Sequence, residues 1–452
     1  MVLKRIVADK RVELDARYPG RMQPPPARIG ELAEKSDRSF EAALKQPHTG
    51  YIFECKKASP SKGLIRADFD PVAIATEYAK FADAISVLTD EKYFQGSLGY
   101  LTAVRNAVNV PVLCKDFILE PFQILEARKA GADAVLLMMS VLSDDEYARC
   151  FEAAEALSVD ALTEVRDKAE LDRALKLGAR VIGINNRNLD NLKVDLKATE
   201  RIAPLVPADK VVISESGITT HDDILRLRPL VNGFLVGSSL MAQDDITRAC
   251  GELVYGRMKV CGLTENETAR AIQNAGVTYG GLIFASASKR VISIDAARAV
   301  KAHVDLQWVG VFVDAPIDEV AQIATDLQLC AVQLHGQEDN AYVSELRSRV
   351  PKGVEIWKAI AVKDGAPRLE VTRADRLLFD GREGGSGEPF DWTLLNDVDL
   401  AGHIVAGGIG IENCDAASRL GAFALDVNSK VESTPGKKDL EKIFQTLRVL
   451  RG

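Results

Sequence analysis

The chain has 452 residues, with 57 Lys and Arg against 65 Asp and Glu for a formal net charge of −8, and it is 47% hydrophobic and 27% charged. That length exceeds the usual single-domain limit, so two globular domains with sizeable cores are expected. An acidic balance with no basic run longer than a pair excludes nucleic acid or an anionic membrane as the main partner.

The cysteines at 55, 114, 150, 250, 261, 330 and 414 form no CxxC pair and no Cys/His cluster at ligand spacing. Reduced thiols in a cytoplasm are therefore expected, with no metal site. The N-terminus interrupts its apolar residues with Lys4, Arg5, Asp9 and Lys10, too early for a signal peptide, and the longest apolar run, 135–142, is too short to cross a bilayer.

Residues 1–48 show helical periodicity, through Leu3, Ile6 and Val7 and later Leu32, Phe40, Ala43 and Leu44, broken by Pro24, Pro25 and Pro26. They read as a helical extension ahead of the first strand. From Tyr51 a unit repeats: a short apolar run, a polar turn, then an amphipathic helix. The runs fall at 52–53, 84–88, 110–114, 134–137, 160–162, 181–184, 211–213 and 233–236. Helices are predicted over 71–82, 121–130, 144–157, 168–177 and 221–227, with Pro at two starts and Gly131 and Gly178 just past two ends. Strands alternating with helices require right-handed crossovers and a parallel sheet, and eight such units close into a barrel.

After Gly256 the pattern restarts, with runs at 258–260, 279–284, 308–312, 329–334, 356–361, 376–379, 403–406 and 422–427. The predicted fold is α/β: two (β/α)8 TIM barrels in tandem, the first with an N-terminal helical extension. The predicted domains are 1–48 for the extension, 49–256 for the first barrel and 257–452 for the second.

In such a barrel the C-terminal strand ends converge on one face. The first barrel brings there Glu54 and Lys56 with Ser59 in the following loop, then Thr89, Asp90, Lys115, Asp116, Glu164, Asn185, Arg187 and Glu215. Taken singly each is ordinary rim, but Glu54, Lys115 and Glu164 follow directly on apolar runs, where a charge has to be paired or used. Ser216 and Gly217 after the seventh run and Gly237 and Ser238 after the eighth place small residues where backbone N–H groups approach a phosphate.

The strings ECKKASPSKG at 54–63, SVLTD at 86–90, LCKDF at 113–117, LTEV at 162–165, GINNR at 183–187 and SESGI at 214–218 together resemble indole-3-glycerol phosphate synthase. The resemblance implies a carboxyphenylamino-deoxyribulose phosphate that is ring-closed, decarboxylated and dehydrated. It implies Lys115 as general acid, Glu164 as general base and Lys56 as a binder of carboxylate and phosphate. Glu54, Asn185, Arg187 and Glu215 would orient these groups, and Ser216, Gly217, Gly237 and Ser238 would hold phosphate.

The second barrel presents KVCGLT at 259–264, Arg290, Gln333, His335, Lys358, Asp380, Gly407, Gly408, Asn428 and Ser429. Cys261 and Asp380 form a base and acid pair on opposite sides of the barrel, and Gly385, Ser386, Gly387, Gly407, Gly408, Asn428 and Ser429 supply a second phosphate cradle. These motifs resemble phosphoribosylanthranilate isomerase. The resemblance implies an Amadori rearrangement, with Asp380 protonating the ribose ring oxygen and Cys261 taking the proton from the neighbouring carbon. Arg290 would pair with the anthranilate carboxylate, with Gln333 and His335 lining the site. Lys430 stands where that family usually has a small residue.

One resemblance's product is the other's substrate, which implies consecutive steps of tryptophan biosynthesis on one chain. Small phosphorylated anthranilate–ribose substrates are the expected partners, with no cofactor, nucleic acid or membrane, and the chain is expected to be a monomer. One live barrel beside a silent one, and a non-catalytic phosphosugar sensor, are both disfavoured by the joint presence of Lys115, Glu164, Cys261, Asp380 and both phosphate cradles; a different phosphosugar isomerase or aldolase would need a Schiff-base lysine, for which Lys358 is the candidate.

Overall fold

The computed structural model describes residues 2–18, 26–188, 191–362, 365, 367, 369, 373–381 and 389–452. They fall into two compact units, 1–246 and 247–452, a division that comes before the expected boundary at Gly256. Each unit contains one closed barrel of eight parallel strands.

In the first unit the strands are Gly50–Cys55, Ala84–Leu88, Val112–Lys115, Ala134–Met138, Asp160–Val165, Val181–Asn185, Val211–Glu215 and Gly233–Val236. Closure comes where the first strand pairs with the eighth, Gly50 opposite Gly233 and Phe53 opposite Val236. The intervening helices begin as their sequences dictate. Asp70 caps the helix Pro71–Tyr78 by accepting from Val72 N at 3.0 Å and Ala73 N at 3.1 Å, and Ser143 and Glu146 form a reciprocal capping box on Asp144–Ala156. Gly131 and Gly178 follow their helices with φ of 105° and 87°.

The strands run further than their apolar residues. Asp160–Val165 and Val211–Glu215 carry Glu164 and Glu215 inside the ladder, so these are strand residues and not loop residues. Side chains alternate along a strand, and Ile52, Leu113, Leu162, Ile213 and Leu235 pack together as one buried cluster. Two residues on from each comes a polar or small position on the same face: Glu54, Lys115, Glu164, Glu215 and Gly237. The reactive layer is thus the next tier of the packed interior.

The extension differs from expectation in one part. Helix Val2–Arg17 and the short helix Phe40–Leu44 form, but Leu32 lies in a turn and is 47% exposed. Its spacing matched a helix by chance.

The second barrel uses Met258–Val260, Tyr279–Ile283, Gln307–Phe312, Ala331–Leu334, Glu355–Ala361, Arg376–Asp380, Ile404–Val405 and Ala424–Val427. It closes through Met258 opposite Leu425 and Lys259 opposite Asp426. Val309, Ala331, Leu378, Ile404 and Ala424 pack as one tier, and Cys261, Ile283 and Val311 pack as another. Among the described residues no helix is long and apolar enough to cross a membrane.

Candidate active sites

The C-terminal mouth of the first barrel opens into a cavity of about 1280 Å3, its entrance included, lined by Glu54, Lys56, Ser59, Lys115, Asp116, Glu164, Asn185, Arg187, Glu215, Ser216, Gly217, Gly237 and Ser238, whereas Thr89 and Asp90, also expected at this face, are not among its lining residues. Lys115 is central. Its Nζ lies 2.5 Å from Glu215 Oε2 and 3.9 Å from Glu164 Oε2. Burial disfavours its charge, yet Glu215, Glu164 and Glu54 outweigh that cost and hold its pKa above the ordinary lysine value. For Glu164 the balance runs the other way: burial and the Glu215 carboxylate push it up to about 7, against the pull of Lys115. One oxygen of Glu164 and one of Glu215 are buried without a hydrogen-bond partner among the described residues.

Lys56 pairs with Glu54, which also accepts from Ser86 Oγ at 3.4 Å. Two glycines make room for these carboxylates. A Cβ at Gly183 would lie 2.0 Å from Glu215 Oε1, and one at Gly237 would lie 2.6 Å from Glu54 Oε1. Ser216 and Gly217 both have positive φ, 67° and 84°, which turns the seventh loop sharply at the cavity. Beneath that loop, Asn186 donates to Ser214 Oγ at 3.0 Å and to the Ser216 carbonyl at 3.1 Å, and accepts from Thr199. Only the Asn-Asn doublet at 185–186 hinted at this support.

The extension does more than precede the barrel. Leu3 and Ile6 of helix Val2–Arg17 line the cavity wall. Lys10 on the same helix is 5% exposed and pairs with Asp90 at 2.9 Å and Asp116 at 3.1 Å, at two adjoining strand ends. Asp116 also accepts from Thr89 Oγ1 at 2.7 Å. The residue after Lys115 is thereby tied to the helix that walls the pocket.

In the second barrel a smaller cavity, about 790 Å3 with its entrance, is lined by Cys261, Arg290, Gln333, His335, Asp380, Gly407, Gly408, Asn428 and Ser429, and also by Asp426. Gly385, Ser386 and Gly387 lie outside the described residues. Lys259 is wholly buried and donates to Asp426 Oδ2 at 2.7 Å and Gln333 Oε1 at 2.9 Å. An ammonium has no acceptor, so the Gln333 oxygen must face it and the amide nitrogen must face His335 Nδ1, 3.0 Å away. That ring nitrogen accepts, which leaves the proton of a neutral imidazole on Nε2, 3.4 Å from Asp380 Oδ2. Lys259 therefore sets the polarity of a chain that ends at Asp380. Asp380 Oδ1 meanwhile accepts from Gly381 N at 2.8 Å.

Burial pushes the Cys261 thiol up, and the Lys259 ammonium is the chief influence holding it down. Arg290 reaches the cavity with its fork engaged by Glu432, through Nε to Oε1 at 2.9 Å and Nη2 to Oε2 at 2.8 Å. Glu432 also holds Lys438, which donates to Asn428 Oδ1 at 2.8 Å beside the eighth loop. Sequence reading assigned nothing to Glu432 or Lys438. Lys430 is exposed to solvent. Lys358 is committed elsewhere, to the Gly336 carbonyl at 2.6 Å and Glu338 at 2.9 Å, and is not among the residues lining this cavity. That removes the support for an aldolase-like Schiff base.

Residues 3–253 match the family described as indole-3-glycerol phosphate synthase, and residues 258–448 the family described as N-(5'phosphoribosyl)anthranilate (PRA) isomerase. The chain is 48% identical over 450 residues to the tryptophan biosynthesis protein TrpCF of Salmonella typhi, covering 99% of each. It is 50% identical over 455 residues to the protein of that name from Vibrio cholerae serotype O1, covering 99% of this chain and 96% of the relative. Among solved structures, the phosphoribosyl anthranilate isomerase of Thermus thermophilus is 35% identical at a TM-score of 0.39, over 43% of this chain and 96% of that one. A phosphoribosyl anthranilate isomerase in complex with reduced 1-(o-carboxyphenylamino)-1-deoxyribulose 5-phosphate is 30% identical at a TM-score of 0.37, over 43% of this chain and 98% of that one. The chain accordingly belongs, across both barrels, to the bifunctional indole-3-glycerol phosphate synthase and phosphoribosylanthranilate isomerase family of tryptophan biosynthesis.

Proposed function

We propose a division of labour among the residues of the two barrels. In the C-terminal barrel, which isomerises N-(5-phosphoribosyl)anthranilate, Asp380 gives a proton to the ribose ring oxygen as the ring C–O bond opens. Cys261 then takes the proton from the adjacent carbon, and the resulting enaminol becomes the ketose by tautomerisation. Arg290, working from its clamp on Glu432, holds the anthranilate carboxylate, and the loops at Gly407, Gly408, Asn428 and Ser429 hold the phosphate.

In the N-terminal barrel Lys115 protonates the ketose carbonyl oxygen while the aromatic carbon bearing the carboxylate attacks, and carbon dioxide leaves as aromaticity returns. Glu164 removes the proton that completes dehydration. Lys56 and Arg187 meet the substrate's anionic ends, with Ser216, Gly217, Gly237 and Ser238 at the phosphate. A positioned acid or base contributes roughly 100- to 10,000-fold, and fixing a flexible substrate by both ends supplies much of the rest. The observation that carries the reading is Lys115, held between Glu215 and a Glu164 carboxyl whose pKa is pushed up to about 7, at the floor of an open cavity.

The boundary between the two functions lies near Gly256, and the chain works as a cytoplasmic monomer; equilibrium sedimentation at twice the 49.1 kDa chain mass would refute the last point. The roles are tested by supplying fresh phosphoribosylanthranilate and following loss of anthranilate fluorescence and gain of the indole product. Wild type should yield indole glycerol phosphate, Lys115→Ala should stop at the ketose, and Asp380→Ala should consume nothing. Indole product from Lys115→Ala at the wild-type rate would remove that lysine from the chemistry.

A further inference from the structure

We propose that Asp426 is a substrate-contacting residue of the isomerase barrel, its second carboxylate oxygen accepting a hydrogen bond from the hydroxyl on the sugar carbon that Cys261 deprotonates. The inference rests on the isomerase reading of this barrel and adds a residue to it.

Asp426 is 8% exposed and lines the same cavity as Cys261, Asp380 and His335. Its Oδ2 is taken by Lys259 at 2.7 Å, whereas Oδ1 is buried with no hydrogen-bond partner among the described residues. A buried acceptor left unmade is costly, and carboxylates in native interiors are normally completed. A residue present only to neutralise Lys259 needs no place on the cavity wall and no open oxygen.

Its position selects the donor. Asp426 stands opposite Lys259 in the ladder that closes the barrel, two residues before the strand end holding Cys261, and Cys261 N donates to the carbonyl of the next residue, Val427, at 2.9 Å. The charge on Asp426 is felt by Cys261, and that on Asp380 is felt by Asp426. The carboxylate therefore sits among the base and the acid, where a substrate reached by both presents the carbon losing its proton. The neutral donor attached to that carbon is its hydroxyl. An anionic acceptor suits a hydroxyl and repels the phosphate and the carboxylate, so the same group also opposes reversed binding. Lys259 keeps Asp426 in place from below.

The test compares two substrate-like probes: the reduced ketose phosphate, which carries a hydroxyl on that carbon, and its analogue with hydrogen there. Affinities are measured by calorimetry for wild type and Asp426→Asn, and for Lys259→Met/Asp426→Leu, which removes the ion pair as a unit should the single variant fail to fold. Wild type should prefer the hydroxylated probe by roughly 10- to 100-fold, the range for a hydrogen bond to a charged group. The variants should bind both probes alike. Equal affinities in wild type, or a preference that survives in the variants, would overturn the contact. Turnover of phosphoribosylanthranilate by the same wild-type preparation keeps the two readings apart: an active enzyme without the preference loses only Asp426, while an inactive one loses the isomerase reading as well.

Discussion

Both barrels place a lysine among carboxylates, and they use it in opposite ways. Lys115 stands at the mouth with its side chain 13% exposed, shared by Glu215 and Glu164 and facing the cavity. Lys259 lies one tier deeper at 0% exposure, donating to Asp426 and Gln333 and acting on the Cys261 thiol beside them. Under the proposed roles, one fold makes the same residue type reactive at the mouth and structural one tier down, where it orients the groups around it.

This contrast can be broken most decisively by exchanging each lysine for methionine. Lys259→Met leaves Asp426 buried without its counter-ion and should cost the second unit about 3–5 kcal/mol in a denaturant titration. Lys115→Met should cost the first unit less, because Glu164, buried but with its pKa already pushed up to about 7, takes up a proton in its place, while synthase turnover falls roughly 100- to 10,000-fold. Equal destabilisation by the two variants would erase the distinction.

A smaller effect sharpens the comparison through pH. A base with a pKa raised to about 7 is ionised above that value, so synthase turnover should fall as pH drops through about 7, roughly tenfold per unit. Glu164→Gln should lower the synthase plateau and abolish the acid limb; a limb unchanged in that variant would assign it to another group. The smallest effect expected is at Lys430, exposed beside the eighth loop of the isomerase. Lys430→Gly should leave phosphate affinity within about twofold, and a larger loss would bring that ammonium into the cradle.

The architecture was legible because its signal is periodic. Eight apolar runs per half, Pro at helix starts and Gly past helix ends are local features, and each strand lies at or beside its run. The site was legible where a charge ends an apolar run, as at Lys115 and Asp380. It was illegible where function depends on a partner far along the chain. Lys10 reads as one more charge on a surface helix until Asp90 and Asp116 meet it. Gly183 reads as part of a motif until Glu215 on the next strand fills the space its missing Cβ leaves. Lys259 reads as one residue of a strand-end motif, and its pairing with Asp426 exists only once the barrel has closed. Leu32 erred in the other direction, since apolar spacing alone cannot distinguish a buried helix from an exposed turn.

The seam of the first barrel has a consequence for how the enzyme comes into being. Glu54 is the penultimate residue of the first strand and Gly237 follows the eighth, and a Cβ on Gly237 would touch the Glu54 carboxylate. The catalytic mouth is therefore built across the junction of the earliest and latest strands, a contact with very long sequence separation, which is slow to form. On the ribosome, a nascent chain that has not yet delivered its eighth strand holds Glu54 with no opposite wall. Recovery of synthase turnover during refolding accordingly times the moment of ring closure, which far-ultraviolet dichroism, reading helices that form locally, cannot do.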